Sequence, residues 1–225
     1  VNTQRGTNLE KLGVLIQTPE HVLAALVGTD LDNVIIELNA SELPIMDGSS
    51  KYFVAALEKA GIVEQEAERK VYVVKDVISF LDEATGSEIT VIPSDKYCVT
   101  AMVDFGTKVL GTQNATMKSI KEFKKEIADC RTFSFLHELE SLLNNGLIKG
   151  GDLNNAIVYV DKEISAETME NLKKAFNKET ISVKSNGILD NITLHFPNEA
   201  ARHKLLDIVG DLSLIGTRIQ GKVIA

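Results

Sequence analysis

The stretch Asn198 to Leu212, NEAARHKLLDIVGDL, decides how the rest of the chain is read. At about 100° per residue it predicts a two-faced helix. Leu205, Leu206, Ile208, Val209 and Leu212 gather on one side, which must be buried. His203, Asp207 and Asp211 follow at four-residue intervals on the other, with Lys204 beside them and Gly210 leaving open space. Side chains at i and i+4 are neighbours, so an imidazole and a carboxylate so spaced can reach one metal ion. The same pattern also describes a plain solvated face.

The chain has 225 residues, enough for one large domain or two small ones with real cores. It is 44% hydrophobic and 25% charged, as in a soluble globular protein, and its net charge of −8 argues against nucleic acid or an anionic membrane as partner. A few lysines can still serve a small anion. Cys98 and Cys130 form no CxxC pair or disulfide framework, which points to a reducing, cytoplasmic compartment. No apolar run approaches the roughly 20 residues that span a bilayer, and no signal peptide is legible. Both ends read as mid-strand, as in a piece of a longer protein.

Outward from the helix, alternating strand and helix signals predict an α+β fold: two similar α/β sandwich domains with a metal cleft between them. The polar run EQEAERK (Glu64 to Lys70) sets the boundary, giving residues 1–68 as the first domain and 69–225 as the second. Residues 1–17 read as extended around an Arg5-Gly6-Thr7 turn. In TPEHVLAALVG, Thr18 suits the N-cap, Pro19 the first helical position and Gly28 the C-terminal cap. Asn33–Leu38 (NVIIEL) has strand length and composition, and a second helix is expected over about Lys51 to Ala60, closed by Gly61. Strands are expected in VYVV, ISFLDE, SEITVIP and YCVTAMVDF, and a charged helix over Ser119 to Ala128. Then come a β-α-β (RTFSF, LHELESLLNN, AIVYV), a surface helix capped by Ser165, and two strands, TISV and ILDNITLHF. A DN pair in each half (Asp32-Asn33, Asp190-Asn191) hints at duplication.

There are four histidines, His21, His137, His195 and His203. A catalytic zinc site uses three protein ligands and leaves the fourth position open. His21 from the first half, with His203 and Asp207 from the second, would supply three, and Glu20 would be placed as a general base. Read blandly, Glu20 is an acid favouring a helix N-terminus. His137 sits among glutamates and reads as solvated; His195 reads as alternating outward from a strand. GLIKGGD lacks the GK[ST] of a phosphate loop, Asp47 in IMDGSS reads as bonding its own turn, and Cys130 lacks a partner base.

TPEHVLAALVGTDLDNVIIEL with ELPIMDGSSKYFV, CRTFSFLHELESLLNNGLIKGGDLNNAIVYV, and NEAARHKLLDIVGDLSLIG together resemble, in order, the motif blocks of the LpxC family, UDP-3-O-acyl-N-acetylglucosamine deacetylases of lipid A synthesis. HELESLLNNGLIKGGDLNN is nearest the Bacteroidetes type, often fused to a FabZ-like dehydratase. The resemblance implies that His21, His203 and Asp207 bind Zn2+, with Fe2+ chemically compatible, and that Glu20 is the general base. It implies that Thr132 helps hold the oxyanion, Lys204 lies near the anionic portion of the UDP-3-O-acyl-N-acetylglucosamine substrate, and Asp211 orients a further histidine beyond this chain. The unit over about 131–161 becomes the family's insert, shaping an acyl passage with Phe133, Phe135, Leu136 and Leu139. Competing expectations are a catalytically incompetent fragment that binds metal or ligand without turnover, and a metal-free sugar-nucleotide binding domain.

Overall fold

The computed structural model describes residues 6–139, 155–162, 164–175, 179–190 and 192–225. Strand alternation and helical periodicity both appear, and the fold is α+β. A five-stranded sheet is its largest layer, formed in spatial order by Ile78–Asp82 (β4), Ser87–Ile92 (β5), Lys222–Ile224 (β11), Cys98–Val103 (β6) and Gln113–Met117 (β7). β11 runs parallel to β6 and antiparallel to β5. Successive side chains of a strand face opposite ways. Val99, Ala101 and Val103 of β6, Ala115 and Met117 of β7, and Val223 of β11 therefore enter the core. On the outer face Thr100 meets Thr116 (3.0 Å) and Ser79 meets Thr90 (2.8 Å).

On the inner face lies the C-terminal helix Glu199–Leu212, here α5, whose Leu205, Leu206 and Val209 are buried among those strand residues. α1 (Glu20–Gly28) packs on α5 and is apolar almost all round, as a doubly covered helix must be. Its Ala24 and Ala25 belong to the main core, while Val22 and Leu26 meet Leu43 in a smaller cluster joined by Phe53 and Leu57 of α2 (Lys51–Ala60). Small residues let α1 and α5 approach closely. A Cβ on Gly210 would lie 2.2 Å from the Glu20 carbonyl oxygen and 3.1 Å from the Ala24 nitrogen. The glycine thus faces a crowded helix crossing, not the open space its sequence position suggested.

The remaining pairings are smaller. β1 (Asn8–Lys11) and β2 (Val14–Gln17) form an antiparallel hairpin that turns at Leu12-Gly13, beyond the Arg5-Gly6-Thr7 turn expected. β3 (Val71–Val73) pairs in parallel with β10 (Arg218–Gln220). β8 (Phe133–Phe135) pairs in parallel with β9 (Ile157–Tyr159), the two strands of the expected β-α-β; the chain turns helical at Leu136, and most of LHELESLLNN lies outside the described residues. α4 (Ala166–Ala175) carries the expected cap, with Ser165 Oγ accepting from the Thr168 N–H at 3.0 Å.

Several local expectations are corrected. α1 begins at Glu20 with Pro19 at the cap; Thr18 has φ 58° and its hydroxyl donates to Glu42, so it cannot cap. NVIIEL forms no strand, because β-branched composition needs a neighbouring edge to ladder with, and Val34, Ile35 and Ile36 are exposed. Ser119 to Ala128 breaks into a 3-10 turn, Ile120–Glu122, and a single turn of α-helix, Phe123–Glu126 (α3). Among the described residues, TISV and ILDNITLHF make only isolated bridges, at Val183–Leu189 and Tyr159–Ile188. β7 was hidden in the polar QNATM. Among the described residues no helix is long and apolar enough to cross a membrane.

Candidate metal centre

The α1–α5 crossing brings together the residues that the sequence set 182 positions apart. His21 lies in the first turn of α1, and His203 and Asp207 lie one turn apart on α5. The two imidazole rings sit edge to face with centroids 5.0 Å apart. Asp207 Oδ1 is 3.7 Å from His21 Nε2 and 3.5 Å from His203 Nε2. Both separations are too long for hydrogen bonds. They are close to the edge of a tetrahedron with ligand distances of about 2.1 Å, which is about 3.4 Å. Among the described residues, this is the group of three whose ligand atoms, all within 4.8 Å of one another, could hold a metal ion.

The chemistry of the donor set supports the fit. His21 Nδ1 and Asp207 Oδ1 are buried and have no hydrogen-bond partner. Of the two, Asp207 Oδ1 is the one that faces both His21 Nε2 and His203 Nε2, and leaving it unmatched costs roughly 1–3 kcal/mol unless something else takes it up. The histidines are buried, and burial holds both imidazoles neutral, the form that ligates: His21 is pushed down to about 4, with His203 adding to the effect, and His203 is lowered too. Burial would raise the Asp207 carboxyl, but His203, Lys204 and His21 hold it below the ordinary carboxylate range. With both rings neutral, Lys204 is the cation that matters: its Nζ is 3.0 Å from Asp207 Oδ2. That carboxylate in turn raises the lysine's pKa, so Lys204 keeps its charge.

Both histidines are braced through backbone carbonyls. His203 Nδ1 lies 3.1 Å from the Cys130 carbonyl oxygen, and a carbonyl only accepts, so Nδ1 carries the proton and Nε2 is left as the donor atom. The Ser50 hydroxyl donates to the His21 carbonyl at 2.7 Å. Asp47 holds the loop before Ser50, its Oδ1 accepting from the N–H and the hydroxyl of Ser49, as expected of that turn. Thr132 sits two residues past Cys130, with its N–H donating to the Gly48 carbonyl at 2.7 Å.

Glu20 adjoins His21 and is buried. Burial, with Asp207 and Asp211 nearby, pushes its carboxyl up to about 7, against the opposing pull of its own and the Thr7 backbone N–H groups. Asp211, one turn beyond Asp207, accepts from the Thr7 hydroxyl at 2.7 Å, and burial raises its carboxyl as well. Thr7 thus links the two carboxyls, its N–H lying 3.3 Å from Glu20 Oε2. Nothing in the sequence marked Thr7, Ser50 or the Cys130 carbonyl, because two of these contacts use backbone atoms that every residue possesses. Two other histidines stay apart: His137 bonds Asp161 (2.8 Å) and stacks on Phe135, and His195 gives only its backbone N–H, to Glu199. Cys130 is buried with its thiol pushed up, principally by burial, which makes it inert as a nucleophile.

Beside the triad, Phe105, Phe133, Phe135 and Tyr159 form an edge-to-face and tilted aromatic cluster, and Lys204 Nζ lies 5.7 Å from the Phe133 ring centre. Phe133 is partly exposed, whereas Leu136 and Leu139 are buried in a cluster with Val158, Leu172 and Leu189.

The chain matches the family model described as LpxC, UDP-3-O-acyl N-acetylglycosamine deacetylase, over residues 1–174 and 165–225. It is 43% identical to a bifunctional enzyme LpxC/FabZ of Bacteroides thetaiotaomicron over 223 residues, which cover 99% of this chain and 48% of that protein. A bifunctional enzyme LpxC/FabZ of Chlorobaculum tepidum is 42% identical over 228 residues, covering 100% and 49%. A UDP-3-O-acyl-N-acetylglucosamine deacetylase of Myxococcus xanthus is 36% identical over 226 residues, covering 100% and 64%. The chain therefore spans about half the length of the bifunctional relatives it matches.

Proposed function

Because this chain belongs to the LpxC family, we propose that it hydrolyses the N-acetyl amide of UDP-3-O-acyl-N-acetylglucosamine, releasing acetate in the lipid A pathway, with zinc held by His21, His203 and Asp207. The observation that carries the reading is the convergence of three ligand atoms from two helices, one of which, Asp207 Oδ1, is buried with no protein group to satisfy it. When bound, zinc supplies a Lewis acid that polarises the amide carbonyl and acidifies water.

The chain's own residues supply the rest. Glu20, poised near neutrality, takes the proton of the attacking water and, once protonated, returns it to the leaving amine. Thr132 offers its hydroxyl to the developing oxyanion. Lys204 stays cationic at the rim and meets the substrate's anionic portion. Asp211, fixed by Thr7, orients the histidine that the family places further along. The partly exposed ring of Phe133, with exposed Phe105 edge to face against it, offers an apolar wall to the acyl chain. The two free cysteines favour a reducing, cytoplasmic setting, and the names of the bifunctional relatives favour a FabZ-like dehydratase portion in the longer protein.

The length covered favours one second reading, a piece that binds zinc without turnover. Two measurements on the purified chain decide. Stoichiometric zinc with acetate release from UDP-3-O-acyl-N-acetylglucosamine is the result expected; zinc without acetate selects the second reading; and absence of zinc uptake overturns both.

A further inference from the structure

Behind His203 lies a second buried polar group to which the chemistry above gives no task. Glu199 is completely buried one turn before His203 on α5, and Arg131 is buried against it. Glu199 Oε1 accepts from the Arg131 backbone N–H at 3.1 Å and from its Nε at 2.9 Å. Oε2 accepts from the other end of the guanidinium at 3.2 Å and from the His195 N–H at 2.6 Å. The guanidinium also donates to the Thr193 carbonyl at 2.6 Å. A buried ion pair is a poor source of stability relative to apolar packing of the same volume, so its use must be sought in what it fixes.

What it fixes is a peptide group. The N–H that Glu199 receives and the C=O that His203 Nδ1 meets belong to the same Cys130–Arg131 peptide. That unit is planar and trans, with its N–H and C=O pointing in opposite directions. Two α5 side chains four residues apart therefore grip its two ends, and rotation of the plane would break both bonds together. The next peptide is tied as well, through the Thr132 N–H to Gly48, and the Ser50 N–H donates to the Ala128 carbonyl at 3.0 Å. The ring closes at His21, whose carbonyl receives the Ser50 hydroxyl.

We propose that Glu199 and Arg131 are positioning residues: they lock the Cys130–Arg131 peptide so that its carbonyl keeps the proton on Nδ1 of His203 and Nε2 faces the ion. This rests on the reading of His21, His203 and Asp207 as a metal centre. Outer partners that orient a ligating histidine typically change metal affinity by about ten- to a hundredfold when removed.

The test uses the full chain, titrated with Zn2+ against a chromophoric chelator and with Co2+ followed by its visible d–d absorption. Glu199→Gln is expected to weaken both metals at least about tenfold and to alter the cobalt spectrum. Leu172→Ala, a cavity in the separate cluster with Leu136 and Leu189, lowers Tm yet leaves affinity and spectrum unchanged. If Glu199→Gln does not fold, Arg131→Lys gives the same readout, since it keeps the charge and the backbone N–H but loses the fork. Unaltered affinity and spectrum in a folded variant overturn the inference. Failure of the unsubstituted chain to bind either metal overturns the metal centre itself, which keeps the two failures distinct.

Discussion

Two buried polar clusters lie one helical turn apart on α5, and they treat their own atoms in opposite ways. Around Glu199 both carboxylate oxygens are taken up, by Arg131 and by the His195 N–H. Around Asp207, Oδ2 takes Lys204 at 3.0 Å, but the two imidazoles come as near as 3.5 Å to Oδ1 without bonding it, and Oδ1 remains unsatisfied. A cluster that builds structure consumes its donors and acceptors internally. One that receives a ligand keeps them aimed at a common point, and the surrounding fold bears the cost. Glu199, His21 and His203 are all buried, so burial by itself distinguishes nothing.

The sharpest way to break this contrast is to remove a ligand. His203→Ala or Asp207→Ala is expected to weaken zinc by more than about a hundredfold, since a binding free energy of about 10–16 kcal/mol is shared among few ligands; metal analysis after dialysis reads it. Retained stoichiometric zinc in either folded variant would mean that the open cluster is not the site. Next in size, Glu20→Gln should keep its zinc while acetate release falls about 10²–10⁴-fold, separating the metal-holding role from proton transfer. Equal activity in that variant removes Glu20 from the chemistry.

The helix crossing offers a third test. Gly210→Ala places a methyl 2.2 Å from the Glu20 carbonyl, and overpacking of this kind typically costs about 1–3 kcal/mol, occasionally more. Thermal unfolding should show a lower Tm, and zinc affinity should fall with it as His21 is pushed away from His203. A Tm equal to the parent's would refute the tight crossing.

The smallest effect is read in the metal-free protein as a function of pH. Glu20 is raised from 4.5 to about 7 in the fold, so its contribution to stability is present below about 4.5 and lost as pH rises through 7. His21 is lowered from 6.5 to about 4, so its contribution is present above 6.5 and lost as pH falls through 4. The two largely offset one another in the parent. Glu20→Gln removes the first alone, so its stability relative to the parent should improve between pH 4.5 and 7, by on the order of 1–3 kcal/mol. Chemical denaturation at the two pH values measures it, and a pH-independent difference would contradict the raised carboxyl.

The open cluster was legible in the sequence and the closed one was not. His203 and Asp207 announce themselves because helical spacing is a covalent fact, and the wording around His21 joined them to a family pattern. Asp47 was equally readable, since an Asx turn is local. Glu199 and Arg131 are 68 positions apart and meet through a backbone N–H, which no residue identity reveals. NVIIEL failed for a related reason: a strand is a relation between two segments, and its composition states only one side. β7 failed in reverse, a polar QNATM recruited because β6 offered it an edge and only Ala115 and Met117 had to face inward. Gly210 was misjudged because a missing side chain reads as space until the helix that fills it is known.

The strand order carries a consequence for how the molecule comes into being. β11 is hydrogen-bonded between β5 and β6, yet it is made after both. On the ribosome the β4–β5 and β6–β7 ribbons therefore emerge as two unconnected pieces, each with a bare inner rim, and only the arrival of residues 222–224 stitches them together. During that interval the unpaired rims invite association between nascent copies.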